Sequence, residues 1–242
     1  MMCLRECFGL SGQQVISVFG SGGKSSLIDF FAQCYRNEKV LLSTTTKILF
    51  PEPGAYDYLY LNDFDAMGMD GVGITYAGER VIVDGVEKLK MPSEESFIKK
   101  LVSFQKVFLE TDGAKGLQLK GWNGYEPVIL PETTISIGVI PITAFGQMIR
   151  EAYIHRLQSF FEMTGAKRDD IINEAILAKV ISSQQGLFQR AIGEKILLIN
   201  QVEEESSLEN AFAVVSLLPK GFRASLSKII IGSVKMQRGI IV

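Results

Sequence analysis

The chain has 242 residues, 47% of them hydrophobic and 21% charged, with 25 basic against 27 acidic side chains and a formal net charge of −2. That is enough apolar surface for a full core, which excludes an intrinsically disordered chain. The balance of charge offers no broad positive field to neutralise a nucleic-acid backbone, so nucleic acid is not expected as a main partner.

The opening Met1-Met2-Cys3-Leu4-Arg5-Glu6-Cys7 lacks the charged-then-apolar pattern of a secretory signal. No apolar run approaches the roughly 20 residues that span a bilayer, so a cytoplasmic protein without a membrane partner is expected. Three cysteines, Cys3, Cys7 and Cys34, suit reduced thiols better than a disulfide framework. Cys3 and Cys7 lack the second Cys/His pair that a tetrahedral metal site needs.

Short apolar runs rich in β-branched residues alternate with longer amphipathic stretches, the pattern of a mostly parallel sheet flanked by helices. In chain order the expected elements are strand Val15–Phe19, helix Lys24–Tyr35, and strands Val40–Ser43 and Tyr58–Leu61. A small antiparallel hairpin at about 72–90 follows, its arms Gly73–Tyr76 and Arg80–Asp84 turning at Ala77-Gly78-Glu79. Next come helix Ser93–Val102, with Ser93 as capping hydroxyl and Glu94 and Glu95 as first-turn acids, and strands Val107–Glu110 and Ile135–Ile140. Helices Ile154–Met163 and Asp169–Ser182, strand Ile196–Asn200, helix Ser207–Leu217 and strand Lys228–Ile231 complete the series. No repeat or linker divides it, so one α/β domain over 1–242 is expected.

The first strand runs into Gly20-Ser21-Gly22-Gly23-Lys24-Ser25-Ser26 and then into an amphipathic stretch. Glycines let backbone amides point inward around a phosphate, and the helix start adds unpaired N–H groups and a positive dipole end. Lys24 can reach β- and γ-phosphate oxygens, and the Ser25 hydroxyl can join Mg²⁺. The spacing departs from G-x-x-x-x-G-K-[ST], because Val18 stands where the first glycine belongs. The shorter loop is similar to that of the Mur-type peptide ligases. The competing reading is a glycine turn with an incidental lysine.

Strand Val107–Glu110 ends in Glu110-Thr111-Asp112-Gly113. Beside a phosphate loop, one carboxylate could hold Mg²⁺ and the other orient water, and the Gly113 amide could sense the γ-phosphate. Glu110 and Asp112 share a face if the strand stays regular. A polar turn closing a buried strand is the alternative. Thr45, within Ser43-Thr44-Thr45-Thr46, is a further metal candidate against a reading as strand-favouring threonines.

Asn200-Gln201-Val202-Glu203 follows a buried strand and resembles the Asn-Lys-x-Asp guanine-recognition element of GTPases, with Gln201 for lysine and Glu203 for aspartate. A solvated helix start at Glu203-Glu204-Glu205 is the other reading. His155, the only histidine, invites a general-base role by its near-neutral titration, but it lies far in sequence from these motifs, and a structural or interface histidine is the favoured reading.

Taken together, Gly20–Ser26, Ser43–Thr46, Glu110-Thr111-Asp112-Gly113-Ala114-Lys115-Gly116, Glu126-Pro127-Val128, His155-Arg156 and Ile199-Asn200 resemble the YqeC family, accessory proteins of selenium-dependent molybdenum hydroxylases. The resemblance implies a P-loop NTPase-like fold and a part in maturing a molybdenum cofactor or its selenium-containing form. Its partner would be a molybdenum hydroxylase or another maturation protein. The residues alone reach a Mg²⁺-dependent binder of ATP or GTP. Three functions compete: a nucleotide-hydrolysing accessory protein using Lys24, Glu110 and Asp112; a kinase or ATP-dependent ligase acting on a small acid or pterin-type substrate; and a nucleotide-sensing adaptor. The adaptor would present Trp122 on a Gly113–Gly124 loop, unless that indole is tucked onto the core.

Overall fold

A computed structural model of the chain describes residues 1–92 and 95–242. The first half contains β1 (Met2–Cys3), α1 (Leu4–Phe8), β2 (Gln14–Gly20), α2 (Lys24–Cys34), β3 (Lys39–Thr44), β4 (Lys47–Leu49), β5 (Tyr58–Leu61), β6 (Gly73–Val83), β7 (Val86–Lys90), α3 (Glu95–Lys100) and β8 (Lys106–Glu110). The second contains β9 (Leu119–Lys120), β10 (Ile135–Pro141), β11 (Ile154–His155), α4 (Leu157–Thr164), α5 (Glu174–Ser182), β12 (Glu194–Asn200), α6 (Glu205–Ser216), α7 (Lys220–Ala224), β13 (Lys228–Ser233) and β14 (Arg238–Ile241).

Twelve strands form one sheet in the order β1-β14-β13-β12-β10-β2-β8-β3-β6-β7-β4, with β5 also on β6. Its centre, from β13 through β12, β10, β2, β8 and β3 to β6 and β5, is parallel. Antiparallel strands extend both ends: β14 and β1 beyond β13, β7 and β4 beyond β6. This is an α/β architecture with helices on both faces, as expected.

Successive strand residues face opposite sides. Ile16, Val18, Leu42 and Phe108 meet Leu27 and Phe31 of α2 and Leu4 and Phe8 of α1. On the other face Val15, Leu41 and Val107 meet Phe97 and Phe104, while Phe19, Leu197 and Ile199 meet Phe160, Leu177 and Val214 of α4, α5 and α6. Burial on both faces explains why these strands read as continuous apolar runs. Among the described residues no helix is long and apolar enough to cross a membrane.

Several boundaries differ from expectation. β6 is one strand of eleven residues: its start pairs with β3 and β5, and Glu79–Val83 pairs with β7. The hairpin therefore turns at Asp84-Gly85, whose φ of 52 and 77 are the two positive values a type I′ turn requires. The helix expected from Ile154 begins at Leu157. Ile154 and His155 pair in parallel with Leu119 and Lys120, and Arg156, at φ 57, breaks the helical path. The helix expected from Asp169 begins at Glu174, capped by the Asn173 side chain, which accepts from the Ile176 N–H at 3.0 Å. The helix expected over Ser93–Val102 spans Glu95–Lys100 and ends in a 3₁₀ turn at Leu101–Ser103; the expected capping Ser93 and first-turn acid Glu94 lie outside the described residues.

From β2 the chain passes through α2 to β3, β8 then fills the place between them, and β10 lies on the other side of β2. The winding reverses at β2, so the carboxyl end of that strand opens the crevice where open parallel sheets bind ligands.

A Cβ at Gly85 would meet nothing within 4 Å, so replacement there costs backbone strain alone. Gly85→Ala is expected to lower unfolding free energy by about 1 kcal/mol, with an unchanged urea m-value, and Gly85→Asn by much less. Urea titration of the three proteins checks this; equal stability of all three would refute the turn geometry.

Candidate functional site

Between β2 and α2 the backbone makes a glycine loop in which Gly20, Gly22 and Gly23 take φ of 102, 71 and 122. At Gly23 a Cβ would stand 2.4 Å from Asn200 Nδ2, so glycine is required there for space as well as for conformation. Three neighbouring strands pin the loop. The Gly20 N–H, at the end of β2, donates to both oxygens of Asp112, just beyond β8, at 3.0 and 3.1 Å. The Ser21 N–H donates to the carbonyl of Val139 on β10 at 3.0 Å, and its hydroxyl donates to the Gln118 carbonyl at 2.8 Å. From the end of β12, the side-chain amides of Asn200 and Gln201 donate to the Gly22 carbonyl at 2.8 and 3.3 Å.

Lys24, only 5% exposed, turns back beneath this loop. Its Nζ donates to the Gly20 carbonyl at 2.8 Å and lies 3.3 Å from Asp112 and 3.6 Å from Glu110. The two carboxylates thus face one cation, as their spacing predicts. The Ser25 hydroxyl donates to the other oxygen of Glu110 at 2.8 Å. Beyond Asp112 the charges go on alternating. Lys120, on β9, lies 3.1 Å from both Asp112 and Glu126 and donates to the Gly113 carbonyl at 2.7 Å. Arg156 forks onto both Glu126 oxygens, one bond being 2.9 Å. Glu110, Lys24, Asp112, Lys120, Glu126 and Arg156 form one row of alternating sign.

Burial drives the Glu110 carboxyl above its ordinary range, against the pull of Lys24 and the Ser25 hydrogen bond. Burial alone would do the same to Asp112, but Lys24, Lys120, the Trp122 indole and the Gly20 amide outweigh it and hold that carboxyl low. Glu126 is likewise held low against burial, chiefly by Arg156 and Lys120. Burial would lower Lys24, and Asp112 and Glu110 reverse the sign. His155, beside this row, is lowered by burial, Arg156 and Lys120.

Of the two carboxylates expected beside a metal, Glu110 turns an oxygen toward Ser25 at the mouth of the loop. Asp112 is fully buried, and its oxygens are taken by Gly20, Lys24, Lys120 and Trp122. Thr45 adjoins Glu110 through its N–H, which donates to the Glu110 carbonyl at 3.1 Å, while its hydroxyl donates to Val128 at 2.6 Å. Ser26 lies in a cleft of about 620 Å³ that Gly23, Asn200 and Glu203 also line. Trp122 is not an exposed docking side chain: it is 6% exposed, and its indole N–H donates to Asp112 at 2.9 Å.

Sequence reasoning assigned no role to Lys120, Glu126 or Arg156, although Glu126 and Arg156 stand in motifs it singled out. Lys120, in Gln118-Leu119-Lys120-Gly121-Trp122, carried no signal beyond a lysine among apolar residues. Among the described residues no group of three or more His, Cys, Asp and Glu could hold a metal ion. A hydroxyl and one carboxylate fit Mg²⁺ that takes its remaining ligands from phosphate and water.

Removing one partner of a buried ion pair costs about 3–5 kcal/mol, so Asp112→Asn is expected to destabilise by that order. Asp112 and Glu126 sit below their ordinary values of 3.8 and 4.5. Their contribution is complete above those values and lost as pH falls through the lower native ones. Urea midpoints from pH 7 down to pH 3 should therefore decline less steeply in Asp112→Asn than in the unchanged protein; parallel curves would refute the ionic account.

The sequence model of the YqeC protein family matches residues 16–158, more than half of the chain, so the chain belongs to the YqeC family. The span holds all six charges of the alternating row. A curated relative from Escherichia coli (strain K12), "Uncharacterized protein YqeC", is 24% identical over 212 residues, covering 84% of this chain and 81% of the relative. No solved structure matches the chain.

Proposed function

We propose that this YqeC-family chain is a P-loop NTPase-like cytoplasmic protein that binds ATP or GTP with Mg²⁺, hydrolyses it, and serves the maturation of a selenium-dependent molybdenum hydroxylase or its cofactor. One observation carries the nucleotide reading: a glycine loop at the carboxyl end of a central parallel strand delivers Lys24, followed by a serine that faces Glu110 at 2.8 Å. The maturation role rests on the family resemblance.

The loop amides and the start of α2 receive the phosphates. Lys24 exchanges its longest contact, 3.6 Å to Glu110, for a phosphate oxygen, while its ammonium stays on the Gly20 carbonyl and Asp112. Ser25 and Glu110 hold Mg²⁺, which supplies charge neutralisation on the phosphates. Asp112, with no exposed oxygen, is a positioning residue that fixes Gly20 and Lys24. Gly113 stands at the same strand end, where its amide can approach the terminal phosphate.

Calorimetric titration with ATP and with GTP, each with and without Mg²⁺, tests the reading. The unchanged protein is expected to bind at least one of them in a magnesium-dependent way. Lys24→Ala should weaken that binding at least tenfold, and Ser25→Ala should remove most of the magnesium dependence, with thermal unfolding showing that both variants remain folded. Full affinity in Lys24→Ala, or no binding by the unchanged protein, would overturn it.

A further inference from the structure

Resting on the nucleotide reading above, we infer that the cleft beside the glycine loop selects guanine, with Glu203 and Lys235 as the residues that read the base. The cleft adjoins Gly23 and Ser26 and is bounded by the ends of β12 and β13, so a nucleotide with its phosphates on the loop has its base on this side. Asn200 closes the inner wall. Its amide nitrogen donates to the Gly22 carbonyl at 2.8 Å, and its amide oxygen accepts the Val234 N–H at 3.0 Å. It thereby ties the loop, β12 and the turn after β13 into one frame.

The sequence has lost the lysine that follows the asparagine in the guanine-recognition element, and the structure shows what stands in that space. Gln201 takes φ 65 and turns its side chain to the Gly22 carbonyl and the Thr143 hydroxyl. A cation enters the cleft instead from the turn after β13: Lys235 Nζ lies 3.1 Å from Glu203 Oε2. The Ser233 hydroxyl donates to the other Glu203 oxygen at 3.4 Å.

A carboxylate has about four acceptor positions, so these two contacts leave Glu203 free to accept more. Guanine presents two adjacent donors, N1–H and the 2-amino group, beside the O6 acceptor. A carboxylate next to an ammonium matches that sequence of donors and acceptor. Adenine opposes it at each point: N1 is an acceptor facing the carboxylate, C2 carries no donor, and the 6-amino group faces the ammonium. Glu203 and Lys235 are therefore specificity-determining residues that leave phosphate binding to the loop.

Competition calorimetry with the Mg²⁺ complexes of GTP, ATP and xanthosine triphosphate tests this. The unchanged protein is expected to prefer GTP over ATP by at least tenfold. Xanthine replaces the 2-amino donor by a carbonyl acceptor, which an amide can match. Glu203→Gln should accordingly weaken GTP and strengthen xanthosine triphosphate, each at least tenfold, a gain that misfolding cannot produce. Lys235→Ala should weaken GTP and, by removing the ammonium that faces the adenine 6-amino group, narrow the preference over ATP. ATP bound as tightly as GTP would overturn the guanine assignment while the nucleotide reading stands. An unaltered preference in Glu203→Gln would overturn the role of Glu203. Failure of all three nucleotides to bind would overturn both readings.

Discussion

The site depends on one fully buried carboxylate. Asp112 lies out of water just past the end of β8, where an isolated charge would be expelled or neutralised. It is kept ionised by two ammonium groups, an indole N–H and a backbone N–H. Each donor belongs to a different piece of structure. Gly20 ends β2, Lys24 begins α2, Lys120 sits on β9, and Trp122 lies in the segment that follows. Satisfying one desolvated group therefore fixes the relative placement of four segments that share no continuous hydrogen-bond ladder.

The same requirement propagates outward. Lys120 is itself fully buried and needs a second anion, which Glu126 supplies. Glu126 in turn needs Arg156, whose left-handed backbone ends the β11 ladder and lets α4 begin. Such a row adds little net stability compared with an apolar core of equal volume. Its contribution is to specificity of arrangement, because any slip leaves a charge buried and unpaired. Both ends of the row reach toward solvent: Arg156 keeps 25% of its side-chain surface and Glu110, at the glycine loop, 12%, and Lys24 makes its longest contact at the loop end. At the loop, exchange of partners is cheaper at Glu110 than at the fully buried Asp112.

These dependencies set the limits of sequence reading. The parallel centre was legible because both faces of β2, β8, β10, β12 and β13 are buried, which leaves continuous apolar runs with β-branched residues. Gly20-Ser21-Gly22-Gly23-Lys24-Ser25 was legible because the chemistry is local, and Glu110 with Asp112 because a two-residue period places both on Lys24. The hairpin was misplaced by reading Ala77-Gly78-Glu79 as the turn and passing over Asp84-Gly85. Gly78 serves a close crossing instead: a Cβ there would lie 2.5 Å from Leu89 Cγ. The partners of Asp112 were not legible, since Lys120 and Trp122 gain their meaning only when β9 pairs with β11, 35 residues later in register. Lys235 was hidden for the same reason: its approach to Glu203 follows from β13 lying beside β12.

The glycine loop is held from both sides by groups that differ in kind. On the β8 side a carboxylate accepts from the Gly20 amide; on the β12 side two side-chain amides donate to the Gly22 carbonyl. Between them the Ser21 amide joins β10. A free glycine-rich segment would lose more backbone entropy on ordering than any other composition. Here that loss is met during folding, by hydrogen bonds to residues the sheet already holds in place. A loop ordered in advance needs little rearrangement when an anion arrives, so more of the interaction energy appears as affinity. The positive φ of Gly20, Gly22 and Gly23, a range that favours glycine, and the polar side chains around them are therefore parts of one device.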